Sequence, residues 1–103
     1  MITLKATKDT FISEGVNCCL YHNHNAKTQI TFYLPEYQEE KKFRFFVKTP
    51  KKIILRINNE KDSFWNNPDA KELVLAAVPG VDVSLEAILG KWQITSNSPL
   101  NFR

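Results

Sequence analysis

The stretch that decides the fold is residues 28–96, which opens with TQITFYLP (28–35) and closes on GKWQITS (90–96). In the opening segment Ile30, Phe32 and Leu34 alternate with polar or amphipathic residues, a period of two that is typical of a half-buried β-strand. The same alternation recurs in short runs along the stretch, and turn residues separate the runs about every 8–12 residues. The sequence therefore predicts an all-β protein.

The strand pattern leads to a specific architecture. Residues 43–48 (FRFFVK) and 53–57 (IILRI) flank the turn-forming TPKK segment (49–52), so we expect the two runs to form a hairpin. With no linker and no long repeat, residues 1–103 are predicted to be a single β domain, a compact antiparallel β-sandwich or barrel-like fold. The largest inward-facing side chains define the predicted core, which comprises Phe32, Phe45, Leu55 and Trp92.

Composition narrows the class of protein. The chain has 103 residues, of which 43% are apolar and 24% charged, as expected for a globular domain rather than a disordered one. No apolar run approaches the roughly 20 residues that cross a bilayer, and the N-terminus lacks the profile of a signal peptide. Cys18 and Cys19 are adjacent and are expected to stay reduced. We therefore expect no membrane association and maturation in a cytoplasm.

Charge is distributed unevenly along the chain. Residues 41–61 contain eight basic residues and one acid, a net charge of +7, so the remainder carries −4 of the overall +3. Arg44, Lys48 and Arg56 alternate with core positions and are expected to project from one sheet face. This face is either a contact for an acidic partner or a solvated hairpin whose lysines protect a sheet edge.

A second apolar pattern bears on assembly. Phe46, Ile54, Val74 and Ala76 lie opposite the main core stripe. They mark either contact with another chain or a strand covered on both sides by its own chain, and the sequence leaves both alternatives open. The predicted partner-binding set is Arg44, Phe46, Lys48, Ile54 and Arg56.

The chemistry-bearing residues are sparse. His22 and His24 are the candidate metal ligands, alongside Cys18, but the separated Cys and His pairs of a zinc site are missing, and a buried thiol beside a polar turn is the alternative. In a trimer, three His22-x-His24 pairs would supply six imidazoles, an octahedral set suited to iron or nickel. No Gly-x-Ser-x-Gly elbow or phosphate-binding glycine loop occurs, so we expect no enzyme activity and no cofactor.

A competing class is a small basic nucleic-acid-binding or host-interaction protein. Arg44, Phe46, Lys48 and Arg56 offer positive charge with one aromatic ring for base stacking. The aromatic signatures of the common RNA-binding sheets are missing. This class predicts salt-dependent retention on heparin or single-stranded DNA.

Residues 28–96 resemble the small β modules of phage tail fibres and related virion proteins. The matching pieces are ITFYLP (30–35), FRFFVK (43–48), IILRI (53–57), DSF (62–64), LVL (73–75), PGVDVSL (79–85) and GKWQI (90–94). The resemblance implies a trimeric virion component, made in the host cytoplasm, whose partners are major capsid or tail proteins. The His22-x-His24 pair resembles the metal site at the tips of some phage spikes.

The chain has no long shaft region, which distinguishes it from complete fibre proteins. A free-standing module of this size is more similar to a capsid decoration (cement) protein, which stabilises or decorates the particle. A short tail fibre or tail-tip adaptor is the alternative.

Overall fold

The computed structural model describes residues 2–103, which form nine β-strands. The strands are β1 (Ile2–Lys5), β2 (Thr10–Phe11), β3 (Cys18–His22), β4 (Ile30–Leu34), β5 (Lys42–Phe46), β6 (Ile53–Ile57), β7 (Glu72–Leu75), β8 (Asp82–Ile88) and β9 (Lys91–Ser96). These described residues contain no helix, so none with the length and apolar character needed to span a membrane. The all-β prediction is confirmed.

The strands form two sheets whose hydrogen-bonding is mixed. The first sheet has the order β1-β3-β5-β8-β9 and the second the order β2-β4-β6-β7. Successive strands from β1 to β6 alternate between the sheets, so each returns to its own sheet in the same direction as before and pairs in parallel. Only the last three pairings, β5–β8, β6–β7 and β8–β9, are antiparallel. The predicted wholly antiparallel arrangement is therefore wrong.

The predicted hairpin between residues 43–48 and 53–57 is also wrong. β5 pairs with β3 and β8 in the first sheet, whereas β6 pairs with β4 and β7 in the second. Residues 47–52 cross from one sheet to the other instead of reversing within a sheet. A period of two describes both arrangements equally well, because it fixes which side chains face inward but not which strand is the neighbour.

A tight hairpin does form later in the chain. β8 and β9 are joined by Leu89 and Gly90, which have φ values of 52° and 85°. Two successive residues with positive φ are what a type I′ turn requires, and its twist matches that of the strands. The turn leaves Leu89 74% exposed.

The core lies between the sheets and is dominated by aromatic rings. Phe32, Phe45, Leu55 and Trp92 are all completely buried. The Phe32 ring of the second sheet lies 5.1 Å from that of Phe45 in the first, and Tyr21 contacts both. Trp92 lies instead beside Phe43, at 5.8 Å, and meets the Tyr37 ring edge-on at 5.9 Å. Tyr21 also lies 6.4 Å from Phe43, so the rings form one continuous core.

The sheet edges at β7 and β9 are covered by the chain itself. Residues 101–103 run along β7, with hydrogen bonds from Val74 N to Asn101 O (2.8 Å) and from Arg103 N to Glu72 O (2.8 Å). Residues 63–66 run along β9, where Trp92 N donates to Ser63 O (3.0 Å) and Ile94 N donates to the Asn66 side chain (3.0 Å). Covering edges in this way prevents uncontrolled strand pairing.

We predict that Trp92→Ala lowers the free energy of unfolding by about 3–5 kcal/mol, because it empties a large, fully buried site. Trp92→Phe should cost less, since the buried indole Nε1 has no hydrogen-bond partner within residues 2–103 that the change would remove. Chemical denaturation measures both values. A Trp92→Ala protein as stable as the wild type would contradict this account of the core.

Candidate interaction surfaces

The basic residues predicted to share a sheet face do not share one. Arg44 projects from the outer side of β5 in the first sheet, where its Nε donates to Asp82 Oδ1 at 2.9 Å. Arg56 projects from β6 in the second sheet and pairs with Glu72. The two arginines therefore lie on opposite outer faces, each beside a carboxylate, and Lys48 lies in the crossing between the sheets. The predicted single basic face is wrong, because the strands that carry it belong to different sheets.

The second apolar pattern is largely covered by the chain itself. Ile54 and Val74 are paired across β6 and β7 and are 4% and 6% exposed. Phe46 is half-buried and Ala76 is exposed. Ile54 and Val74 are therefore covered by their own chain, which is one of the two alternatives that the sequence left open. These two side chains do not need a partner chain to bury them.

The crossings between the sheets collect at two ends of the molecule. Residues 6–9, 23–29, 47–52 and 76–81 meet at one end, as shown by hydrogen bonds from Ala6 N to His22 O (2.9 Å), Asn25 N to Thr49 Oγ1 (2.9 Å) and Gly80 N to Val47 O (2.9 Å). These segments contain five lysines, Lys8, Lys27, Lys48, Lys51 and Lys52, and one acid, Asp9. We call this region the lysine end; its net charge is +4.

One buried side chain holds the lysine end together. Asn23 is fully buried, and its Oδ1 accepts hydrogen bonds from the backbone of Lys48 (2.8 Å) and Thr49 (3.0 Å). Its Nδ2 donates to the carbonyls of Thr49 (3.1 Å) and Lys51 (3.0 Å). These four bonds satisfy the amide and four backbone groups of the 47–52 crossing. The sequence indicated only a polar turn here.

The opposite end, which we call the acidic end, is made of the crossings 12–17 and 35–41, the β6–β7 connection 58–71 and the β8–β9 turn. Hydrogen bonds from Tyr37 N to Asp62 Oδ2 (2.7 Å) and from Gly90 N to Tyr37 Oη (2.8 Å) join these segments. They contain seven acids, listed along the chain as Glu14, Glu36, Glu39, Glu40, Glu60, Asp62 and Asp69, and three lysines, Lys41, Lys61 and Lys71. The net charge of the acidic end is −4.

Buried charged groups fasten the acidic end from inside. Lys41 is 1% exposed, and its Nζ donates to Glu14 O (2.6 Å), Val16 O (2.9 Å) and Asn17 Oδ1 (3.4 Å). Three oxygen acceptors satisfy the three donors of the ammonium group. Asp62 is 7% exposed, and burial raises the pKa of its carboxyl. The hydrogen bonds of Lys41 and Asp62 therefore stabilise the loops of the acidic end.

His24 lies in the 23–29 segment of the lysine end, and His22 is the last residue of β3 before it. His22 is 9% exposed, its Nδ1 accepts a hydrogen bond from His24 N (3.2 Å), and the two rings are 6.4 Å apart. Burial, followed by the positive charge of Lys48, lowers the pKa of His22. Across residues 2–103, no three His, Cys, Asp or Glu side chains are grouped to hold a metal. The octahedral site between three copies stays a prediction.

The sheet edges formed by β1 and β2 are open, and we call residues 2–5 and 10–11 the open edge. Ile2 and Leu4 are in register with the buried Cys19 and Tyr21, so they continue the core-facing row of the first sheet. They are nevertheless 67% and 46% exposed, because β2 has only two residues and does not extend the second sheet over them. In the sequence, the only signal of this surface is the alternation of Ile2 and Leu4 with polar residues.

Phe11 and Lys5 also belong to the open edge, and Lys8 flanks it. Phe11 is 68% exposed and stacks on Tyr33 with ring centroids 4.2 Å apart. Lys5 closes β1 and is exposed, as is Lys8 in the crossing that follows. A shallow cavity of about 250 Å³ between the strands is lined by Leu4, Ala6, Thr10 and Tyr21, among others. The edge therefore combines apolar side chains with a positively charged rim.

Comparison with protein-family models gives no match for this chain, and comparison with curated protein sequences gives none either.

We predict that Asn23→Ala lowers the free energy of unfolding by about 2–4 kcal/mol, because it leaves buried backbone donors and acceptors without partners. Asn58→Ala is the matched control, since Asn58 is exposed. Thermal and urea unfolding measure both variants. Equal stability of the two would show that the Asn23 bonds contribute nothing to holding the lysine end.

Proposed function

We propose that this chain is a non-enzymatic structural protein of a phage virion, a capsid decoration (cement) protein that assembles as a trimer. The observation that carries the proposal is the open edge, where the core-facing row of the first sheet continues into the exposed side chains of Ile2 and Leu4. A protein that acts by assembly needs such a surface, and the resemblance of residues 28–96 to virion modules indicates where it assembles.

The chemistry of the open edge suits attachment to another protein. An exposed strand edge presents backbone groups that a partner can pair with, and exposed apolar side chains beside it gain from being covered. Lys5 and Lys8 add positive charge at the rim, which favours an acidic partner surface and excludes a basic one. The partner we propose is the outer surface of a major capsid protein.

The other edges of the sheets support this choice of surface. β7 and β9 are already covered by residues 101–103 and 63–66, so the molecule offers one open side and one closed side. A decoration protein with this asymmetry attaches in one orientation. A short tail fibre or tail-tip adaptor would use the same open edge, and the two alternatives differ in where the chain lies on the particle.

We predict that Leu4→Asp abolishes decoration of particles, because it places a carboxylate in the apolar row that the partner covers. Particles from an induced culture of the source organism are stripped of the chain and then incubated with purified variants. Cosedimentation measures occupancy, and electron microscopy locates the chain on the capsid or tail. The melting temperature should change little, since Leu4 is already 46% exposed.

The matched control is Thr95→Asp, which adds the same charge at an exposed position of β9, the far strand of the same sheet. This variant should decorate particles as the wild type does. Absence of the chain from native particles by mass spectrometry would refute the virion role. Equal occupancy by the Leu4 and Thr95 variants would refute attachment through the open edge.

A further inference from the structure

We propose that copies of this chain associate head to tail, with the lysine end of one copy against the acidic end of the next. This inference rests on the proposed function for the number of copies in the assembly, three. It extends that function by naming the surfaces that build the trimer. It commits to a second copy of this chain as the partner, and the charges of the two ends are the reason.

The two ends are complementary in charge. The lysine end carries +4 and the acidic end −4, and these charges lie on connecting segments at opposite ends of the strands. Lys27, Lys48 and Lys52 are exposed at the first end. Glu36, Glu40, Glu60 and Asp69 are exposed at the second. A like pairing of two lysine ends or two acidic ends is repulsive, so the charges select the unlike pairing.

Exposed apolar side chains accompany the charges. Val78 is 58% exposed in the 76–81 crossing at the lysine end. Leu89, 74% exposed, lies in the β8–β9 turn at the acidic end, and Trp65, 49% exposed, lies in its 58–71 segment. Stable interfaces need an apolar centre inside a polar rim, and Trp is among the residues that dominate binding energy. Each end supplies both components.

Both ends are held in place before association. The Asn23 bonds fix the 47–52 crossing, and the Tyr37 and Lys41 bonds fix the loops of the acidic end. A surface that is already ordered loses little conformational entropy on binding. The contact therefore needs no refolding of either end.

The contact joins two different surfaces, and this limits the symmetry of the assembly. A heterologous contact of this kind builds a ring if the rotation between copies closes, and an open filament if it does not. A ring of three is the closed form that matches the proposed trimer. It also leaves Ile2, Leu4 and Phe11 of the open edge free for the capsid partner, and Lys8 lies where the two surfaces adjoin.

The test uses charge reversal at one end or at both. One variant carries Lys27→Glu, Lys48→Glu and Lys52→Glu; a second carries Glu36→Lys, Glu60→Lys and Asp69→Lys; a third carries all six changes. The six-fold variant keeps the wild-type net charge of +3, since the two sets of changes cancel. It therefore tests whether association depends on the positions of the charges or only on the net charge.

We expect the wild type to have three times the monomer mass of 11.9 kDa by light scattering at low salt, and to dissociate as salt screens the ends. Each one-end variant should be monomeric, with association weakened roughly 100-fold by like charges facing each other. The six-fold variant should recover the trimer. Circular dichroism checks that every variant is folded.

Three results would overturn the head-to-tail contact. They are a wild type that stays monomeric at low salt, a one-end variant that associates as the wild type does, and a folded six-fold variant that stays monomeric. Failure of the proposed function is distinguishable from these. A chain that forms trimers but is absent from particles would support the head-to-tail contact and refute the virion role. A monomer that decorates particles would support the virion role and refute the contact.

Discussion

The structure depends on one constraint, which is that each of the first five strands is followed by a crossing to the opposite sheet. Crossing at every step makes the pairings β1–β3–β5 and β2–β4–β6 parallel and brings the connecting segments together at two ends. Buried polar side chains then satisfy the backbone of those segments: Asn23 at one end, Lys41 and Asp62 at the other. Because the crossings carry most of the charge outside the strands, the constraint also separates positive from negative charge.

The same constraint decides how much the sequence predicts. Alternation of apolar residues places Phe32, Phe45, Leu55 and Trp92 inside, since burial depends only on which face of a strand a residue occupies. Alternation does not name the neighbouring strand, so the expected hairpin between β5 and β6 is instead a crossing. Pairing between strands far apart in sequence is set by the packing of the whole molecule, which no local pattern contains.

The surfaces follow from pairing and were correspondingly harder to predict. Arg44 and Arg56 are close in sequence but lie in different sheets, so charge counted along residues 41–61 does not describe a face. The unequal lengths of β1 and β2 expose Ile2 and Leu4, and only the sheet order reveals that these residues belong to a core-facing row. Asn23 gave no signal beyond its place in a polar turn, because its four partners lie 25–28 residues away.

In our proposal each kind of surface makes a separate contact: the open edge binds the particle, and the two charged ends bind neighbouring copies. Zero-length carbodiimide cross-linking of an equal mixture of ¹⁴N- and ¹⁵N-labelled protein tests its central claim most directly, because mixed-isotope peptides report bonds between copies. We predict mixed cross-links between Lys48 or Lys52 and carboxylates of residues 36–40 or 60–69. Mixed cross-links confined to the β1 edge, or none at protein concentrations where light scattering gives a trimer, would contradict it.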